Sequence, residues 1–271
     1  MTQLRHLPLI LEPEELQPLL GHSELLILDL CRGDLYSRAH VPGAIHIEPS
    51  RLMRREEPAM GKCPTPEQLL QLFRDIGYTG QEHIVVYDDE GGGWAGRMIW
   101  TLDLIQHPHY SYLNGGMLAW LDSGLATEQA ANQPSSSTVE LEFDFSPLVS
   151  REALQAQLGN DDLVIWDARS EAEYRGEKVM ALRGGHIPGA INYEWTRAMD
   201  RNRQLRIRDD LLPELEALGI ARNKRIVTHC QSHHRSGFTY LLGKALGYES
   251  IQAYDGSWSE WGNLPDTPID C

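Results

Sequence analysis

His40-Val-Pro-Gly-Ala-Ile45 returns as His186-Ile-Pro-Gly-Ala-Ile191, and this pair decides how the 271-residue chain is read. Upstream of it, Leu25-Leu-Ile-Leu-Asp-Leu30 resembles Leu163-Val-Ile-Trp-Asp-Ala168, so Asp29 matches Asp167 and Tyr36 matches Tyr174. Downstream, Ile84-Val-Val-Tyr-Asp88 matches Ile226-Val-Thr-His-Cys230, and Asn114-Gly-Gly-Met-Leu-Ala-Trp120 matches Asp255-Gly-Ser-Trp-Ser-Glu-Trp261. Matches kept in one order, at a nearly constant separation of about 140 residues, mark a duplicated unit. The second copy carries an insert between Tyr174 and His186, within Arg175-Gly-Glu-Lys-Val-Met-Ala-Leu-Arg-Gly-Gly185.

Within each copy helical and strand signals alternate. The runs 25–30, 83–87, 163–167 and 225–229 are short, β-rich and continuously apolar, as strands buried on both faces of a parallel sheet are. Pro13–Leu20 and Ser150–Leu158 read as helix starts with Glu in the first turn, Ser150 serving as N-cap. Pro66–Ile76 and Asp210–Leu218 have helical spacing and stop at Gly77 and Gly219. The alternation predicts an α/β protein of two tandem domains, each an open, mainly parallel sheet with helices on both faces. Such sheets bind ligands beyond the carboxyl ends of their strands. The expected domains are residues 1–125 and 148–271. Between them, 126–147 begins Ser-rich as a linker and then alternates Val139, Leu141, Phe143, Phe145, as an extended strap with one side covered.

Composition narrows the function classes. With 24 Lys and Arg against 39 Asp and Glu the formal net charge is −15, which argues against general binding to nucleic acid or an anionic membrane. An anionic substrate would need a local positive site. There is no apolar run long enough for a transmembrane helix, and the first residues lack the small-residue cleavage site of a secretory signal. Cys31, Cys63, Cys230 and Cys271 form no CxxC pair and no disulfide framework, so the expectation is a cytoplasmic protein with reduced thiols, acting as a monomer.

Chemistry is expected where the two copies differ. After the strand Arg225-Ile-Val-Thr-His229 comes Cys230-Gln-Ser-His-His-Arg-Ser236, and then the apolar helix-like stretch Gly237–Leu246. In a tight strand–loop–helix turn, inward backbone N–H groups and the helix N-terminus favour an anion. They favour thiolate over a thiol of ordinary pKa about 8.5, and Arg235 adds a fixed positive charge. The reading is a nucleophilic sulfur in an anion-receptive cradle. The alternatives are a merely buried Cys230, implausible beside Gln, Ser, His and Arg, and a metal site of His229, Cys230, His233 and His234, whose spacing fits no standard zinc arrangement. In the first copy Asp88 stands in the place of Cys230, followed by the acidic, Gly-rich Asp89-Glu-Gly-Gly-Gly93. A carboxylate carries no transferable sulfur, so that copy is expected to be catalytically silent, with a loop of different shape. Its glycines lack the Lys-Ser/Thr ending of a phosphate loop.

Taken together, Asp167-Ala-Arg169, the repeated His-x-Pro-Gly-Ala, the strand–Cys230-x4-Arg235–helix loop and Asp255-Gly-Ser-Trp258 with Trp261 resemble the rhodanese family of tandem-domain sulfurtransferases, over almost the whole chain. The loop is most similar to the bacterial type of Azotobacter and Pseudomonas. The resemblance implies a double displacement: Cys230 takes the outer sulfur of thiosulfate as a persulfide, sulfite leaves, and cyanide or another thiophilic acceptor such as a thiol removes the sulfur, with no further cofactor and no metal. It implies that Arg235, Gln231, Ser232, His233, His234 and Ser236 surround the donor and that Trp195 lines the pocket. Asp167 and Arg169 are expected to be structural, and Tyr174 and Trp258 to lie in the core. Two cations of vertebrate members are replaced, by Ser232 and Glu173, and the bulky His233 and His234 do not match the small loop of mercaptopyruvate-using members. Cysteine phosphatases of related fold need Cys-x5-Arg, one residue more than this loop has. A binding module without activity would not require both Cys230 and Arg235, whereas a persulfide carrier for sulfur or selenium delivery, or a 3-mercaptopyruvate sulfurtransferase, remains an alternative within the same chemistry.

Overall fold

The computed structural model describes Leu4 and residues 7–271. Two compact units form, neither of them one continuous stretch. The first runs to Leu52 and takes in Pro64–Asp144 and Met199–Ile207; the second holds Met53–Cys63, Phe145–Ala198 and Arg208–Cys271. In chain order the strands are β1 Ile10–Leu11, β2 Leu25–Asp29, β3 Ile45–His46, β4 Arg54–Glu56, β5 Ala59–Lys62, β6 His83–Tyr87, β7 Tyr110–Leu113, β8 Leu163–Asp167, β9 Ile191–Asn192, β10 Met199–Asp200, β11 Arg206–Ile207, β12 Arg225–His229 and β13 Ser250–Ala253.

The first unit is built on a parallel sheet of order β1-β7-β6-β2-β3, the second on one of order β13-β12-β8-β9. Helices flank both sheets, so each unit is the α/β domain the sequence predicts. β6 is buried along its whole length and β12 along all but its first residue, which is why their sequences are unbroken apolar runs rather than alternating ones. The helix expected over 66–76 spans Pro66–Asp75. Thr65 and Gln68 close its N-terminus as a capping box, Leu69, Leu72 and Phe73 face inward, and Gly77 follows at φ 75°. The helix Arg151–Gln155 is capped by Ser150, whose Oγ accepts from Ala153 N–H at 3.2 Å. Two antiparallel hairpins, β4–β5 in the second unit and β10–β11 in the first, were not expected. Their strands are too short and too charged to show a period.

The repeated motif has the same structural use in both units. His40 stacks on Tyr36 with ring centroids 3.8 Å apart, and its Nδ1 meets the Tyr36 carbonyl at 2.7 Å. His186 stacks on Tyr174 at 3.7 Å, with Nδ1 2.9 Å from the Tyr174 carbonyl. Each tyrosine hydroxyl then donates to the alanine carbonyl of its own Pro-Gly-Ala turn, Ala44 or Ala190. The strap lies on the first unit, where Arg74 Nε donates to the Val139 carbonyl and Asp144 N–H to the Leu104 carbonyl. Val139, Leu141 and Phe143 are half-buried and alternate with exposed neighbours, whereas Phe145 is exposed. Among the described residues no helix is long and apolar enough to cross a membrane.

Candidate functional site

Parallel pairing with β8 and β13 fixes β12 in the middle of its sheet, and the chain leaves that strand directly into Cys230. The loop ends where the helix Arg235–Ala245 begins. Cys230 is 1% exposed. The helix Ser257–Trp261 ties the loop down from behind. Ser257 Oγ accepts the N–H of Cys230 at 3.3 Å and that of His233 at 3.2 Å, and donates to the Tyr254 carbonyl at 2.9 Å. Trp258 and Ser259 N–H groups donate to the carbonyls of Cys230 and Gln231, both at 2.9 Å. With these groups held outward, the backbone N–H groups of Ser232 and Ser236 and the Ser236 hydroxyl serve the sulfur. His233 turns the chain at φ 56° to allow it, a left-handed conformation rare for a side chain with a Cβ.

Burial alone would raise the thiol pKa of Cys230. The Arg235 charge, the Ser236 hydroxyl and the two loop N–H groups outweigh it and hold the thiol below its ordinary range, the condition for a thiolate nucleophile. Burial has the opposite outcome at Cys31, where Asp29, Asp88 and Asp89 add to it and push the thiol far up. His233 is fully buried, and its Nδ1 lies 2.8 Å from Ser236 Oγ. For the Ser236 hydroxyl to donate to sulfur, that nitrogen carries the proton. The ring therefore orients Ser236 and lies inside the protein rather than on its surface.

Arg235 also departs from expectation. Its guanidinium is held by both oxygens of Glu173, at 2.7 and 2.9 Å, and Glu173 is buried. Burial raises the Glu173 pKa, but Arg235 and Ser170 more than reverse this, bringing it down to about 2. Arg235 is thus half of a fork-shaped ion pair and not an uncommitted cation. It still polarises the thiol, but its charge is shared with a carboxylate. Gln231 is half-buried and donates through Nε2 to the Met180 carbonyl at 3.0 Å, on the insert peculiar to this copy. His234 and Trp195 are half-buried and meet edge to face at 5.6 Å, with Trp195 6.2 Å from Phe238 on the helix that follows the loop. Ser232 is half-buried and faces β5.

Beneath the loop, Asp167 and Arg169 form the pair expected of them, with Arg169 Nε 3.0 Å from both carboxylate oxygens. The guanidinium lies over the Trp258 ring at 4.3 Å, and Trp258 is in the core. His229 Nε2 is 3.6 Å from Asp167 Oδ2. Burial, opposed by Asp167, pushes its pKa down to about 4, so it is neutral at pH 7.

The first unit repeats the loop with an acid in it. The five N–H groups of Glu90, Gly91, Gly92, Trp94 and Ala95 all donate to the Asp88 carboxylate, at 2.8–3.1 Å. The loop differs in shape as expected, with Gly92 left-handed at φ 105° where His234 has φ −90°, but it does not lack a cradle. The anion cradle is intact, and the protein's own carboxylate fills it. What is missing is the guanidinium, since Gly93 opens the helix where Arg235 opens the other one. We expect Asp88→Cys to remain inactive, because its thiol would lie beside the carboxylates of Asp89 and Glu90, with Gly93 where the other loop has Arg235. Labelling with a sulfane-sulfur donor, followed by counting of transferable sulfur per chain, checks this: one is expected, and two would contradict it.

From the sequence Glu173 is only the place of a lost cation, and Ser257 has no visible role. The signal for Glu173 is Ser170-Glu-Ala-Glu173, a capping box whose last carboxylate accepts from Ser170 and keeps acceptor capacity for Arg235. For Ser257 it is a hydroxyl residue where the silent copy has Gly116.

Known proteins agree with this arrangement. The rhodanese-like domain matches twice, over residues 12–123 and 150–264. The chain is 52% identical over 270 residues to a thiosulfate sulfurtransferase of Azotobacter vinelandii and 50% identical over 270 residues to one of Pseudomonas aeruginosa, covering all of both partners in each case. Among solved structures, YnjE superposes with a TM-score of 0.86 at 20% identity, over 96% of this chain and 68% of that one.

Proposed function

This chain belongs to the rhodanese family, and from that premise we propose that its sulfur transfer runs through a persulfide on Cys230. The activity is that of a thiosulfate sulfurtransferase with a small-molecule donor and acceptor. The observation that carries the site assignment is a buried cysteine whose thiol is nevertheless held below its ordinary pKa by N–H groups, a hydroxyl and a guanidinium.

In the first step the Cys230 thiolate attacks the outer sulfur of thiosulfate. A sulfur–sulfur bond forms, the sulfur–sulfur bond of the donor breaks, and sulfite leaves with that bond's electron pair. The product is the Cys230 persulfide anion, which the N–H cradle holds as it held the thiolate. In the second step cyanide attacks the terminal sulfur, thiocyanate departs and the thiolate returns. Both steps balance without an outside oxidant or reductant. Splitting the transfer in two gives each half an easier barrier. The donor's oxygens face the half-buried wall of Trp195 and His234 and the N-terminus of the eleven-residue helix Arg235–Ala245, whose dipole favours anions. With the Arg235 charge shared with Glu173, this backbone field adds to the attraction for the dianion. Cys31, Cys63 and Cys230 are buried free thiols, which suits a reducing compartment, and we place the enzyme in the cytoplasm as a monomer.

Side-by-side kinetics with thiosulfate and 3-mercaptopyruvate test the donor: thiosulfate should have the higher kcat/KM, and the reverse order would reassign it. We also expect Ser236→Ala to raise the pKa of the Cys230 thiol. Activity then moves to higher pH, since the thiolate is the reacting form and a raised pKa empties it at neutral pH. The pH profile of iodoacetamide alkylation reads this directly. An unshifted profile would remove Ser236 from the cradle.

A further inference from the structure

The hairpin β4–β5 lies far from the catalytic loop in sequence and carries none of its chemistry, yet it belongs to the same compact unit. Its second strand is attached to the segment that braces the loop. Met60 N–H donates to Ser259 Oγ at 3.0 Å, Cys63 N–H to Asp255 Oδ2 at 2.7 Å, and Lys62 Nζ to Asp255 Oδ1 at 2.8 Å with Glu260 at 3.8 Å. Asp255 is buried, so both of its oxygens are spent on this strand. Between these attachments comes Gly61. A Cβ built on Gly61 would stand 2.1 Å from the Ser232 carbonyl oxygen, 2.7 Å from its carbon and 2.8 Å from Ser232 Cβ. Its φ is not in the left-handed region, so glycine is required there for space rather than for backbone conformation. The backbone of β5 therefore rests directly on the peptide that joins Ser232 to His233.

We infer that Gly61 is a positioning residue for sulfur transfer: clamped through Asp255, β5 sets the height of the Ser232–His233 peptide and so the aim of the loop's N–H groups at Cys230. The inference rests on the reading of Cys230 as the nucleophile. That peptide joins the Ser232 N–H side of the cradle to the His233 N–H held by Ser257. A methyl group at Gly61 cannot be absorbed by a flexible side chain, since its nearest neighbour is backbone. Either β5 retreats or the peptide moves, and a small displacement of an oriented donor is costly to catalysis.

The test uses the full chain and two variants. Iodoacetamide alkylation, mapped by peptide mass spectrometry, is followed against pH in the unmodified protein, in Gly61→Ala and in Lys62→Met, together with kcat/KM for thiosulfate. Gly61→Ala is expected to lower kcat/KM by at least about tenfold and to raise the thiol pKa by about one unit. Lys62→Met loosens the clamp without adding atoms at the contact, and should shift both quantities in the same direction by less; it carries the test if Gly61→Ala does not fold. A folded variant with lowered thermal stability but an unshifted alkylation profile and rate would mean a merely structural role and overturn the inference. If the reaction at low pH in the unmodified protein maps to Cys31 or Cys63 and not to Cys230, the nucleophile assignment falls and this inference with it; the exposed Cys271 is followed as a separate peptide. If the reaction maps to Cys230 and neither variant moves the profile, only the inference on Gly61 falls.

Discussion

Cys230→Ser loses sulfur transfer from thiosulfate to the assay background, a fall of at least about 10³-fold, and stays folded. The loss is complete because no other cysteine has the same surroundings. Cys31 and Cys63 are buried, the Cys31 thiol is pushed up by burial and by three aspartates, and Cys63 gives its N–H to the carboxylate of Asp255. The fold survives because the strand-end position tolerates different chemistry, as Asp88 does in the first unit with five backbone N–H donors. Circular dichroism and thermal melting check the fold beside the assay. Residual activity in this variant, or sulfur labelling moved to Cys31 or Cys63, would contradict the assignment.

Arg235→Ala is expected to damage stability and reactivity together. Removing one member of a buried pair leaves the other buried and uncompensated, at a cost of about 3 kcal/mol; here Glu173 is the group left behind. The thiol also loses the largest interaction that holds its pKa down, so the alkylation profile moves to higher pH. The double variant Arg235→Ala/Glu173→Gln separates the two effects. It should regain much of the thermal stability, because no buried charge remains, while the thiol profile stays shifted. Arg235→Lys keeps a charge but not the planar fork, so partial rescue of the thiol pKa with incomplete recovery of stability is expected. The ion pair also fixes a sign for acid stability. Glu173 has its folded pKa held down to about 2 from an ordinary 4.5, so its contribution is fully present above about pH 4.5 and is lost as pH falls toward 2. Glu173→Gln should flatten that part of the acid unfolding curve. An Arg235→Ala protein with the melting temperature and alkylation profile of the unmodified chain would contradict this picture.

Much of the architecture is legible because the sheets are parallel. β2, β6, β8 and β12 are buried from both sides, so they stand out as apolar runs, and Thr65 and Ser150 mark helix starts by their capping oxygens. The duplication makes Cys230 legible too, since Asp88 is the one strong contrast at matched strand ends. What the sequence hid depends on long-range partners. The charge of Arg235 is visible but its consumption by Glu173 is not, because the two are brought together only by the packing of the short helix Glu171–Tyr174 near the loop. His233 looks like a surface imidazole beside His234, and only its positive φ turns it inward to Ser236. The hairpin Arg54–Lys62 has too few residues for a period and joins the unit of the second copy, so neither its strands nor Gly61 announce themselves. The insert 175–185 reads as a loop difference and gains meaning only through the contact of Gln231 with Met180.

The central claim is that sulfur resides on Cys230 between the two half-reactions. Intact-protein and peptide mass spectrometry of the chain after exposure to thiosulfate alone tests it most directly. One adduct of about 32 Da, a persulfide, is expected on Cys230, discharged by cyanide with release of thiocyanate. An unmodified Cys230 under turnover conditions, or an adduct that maps to another cysteine and is discharged at the catalytic rate, would contradict it.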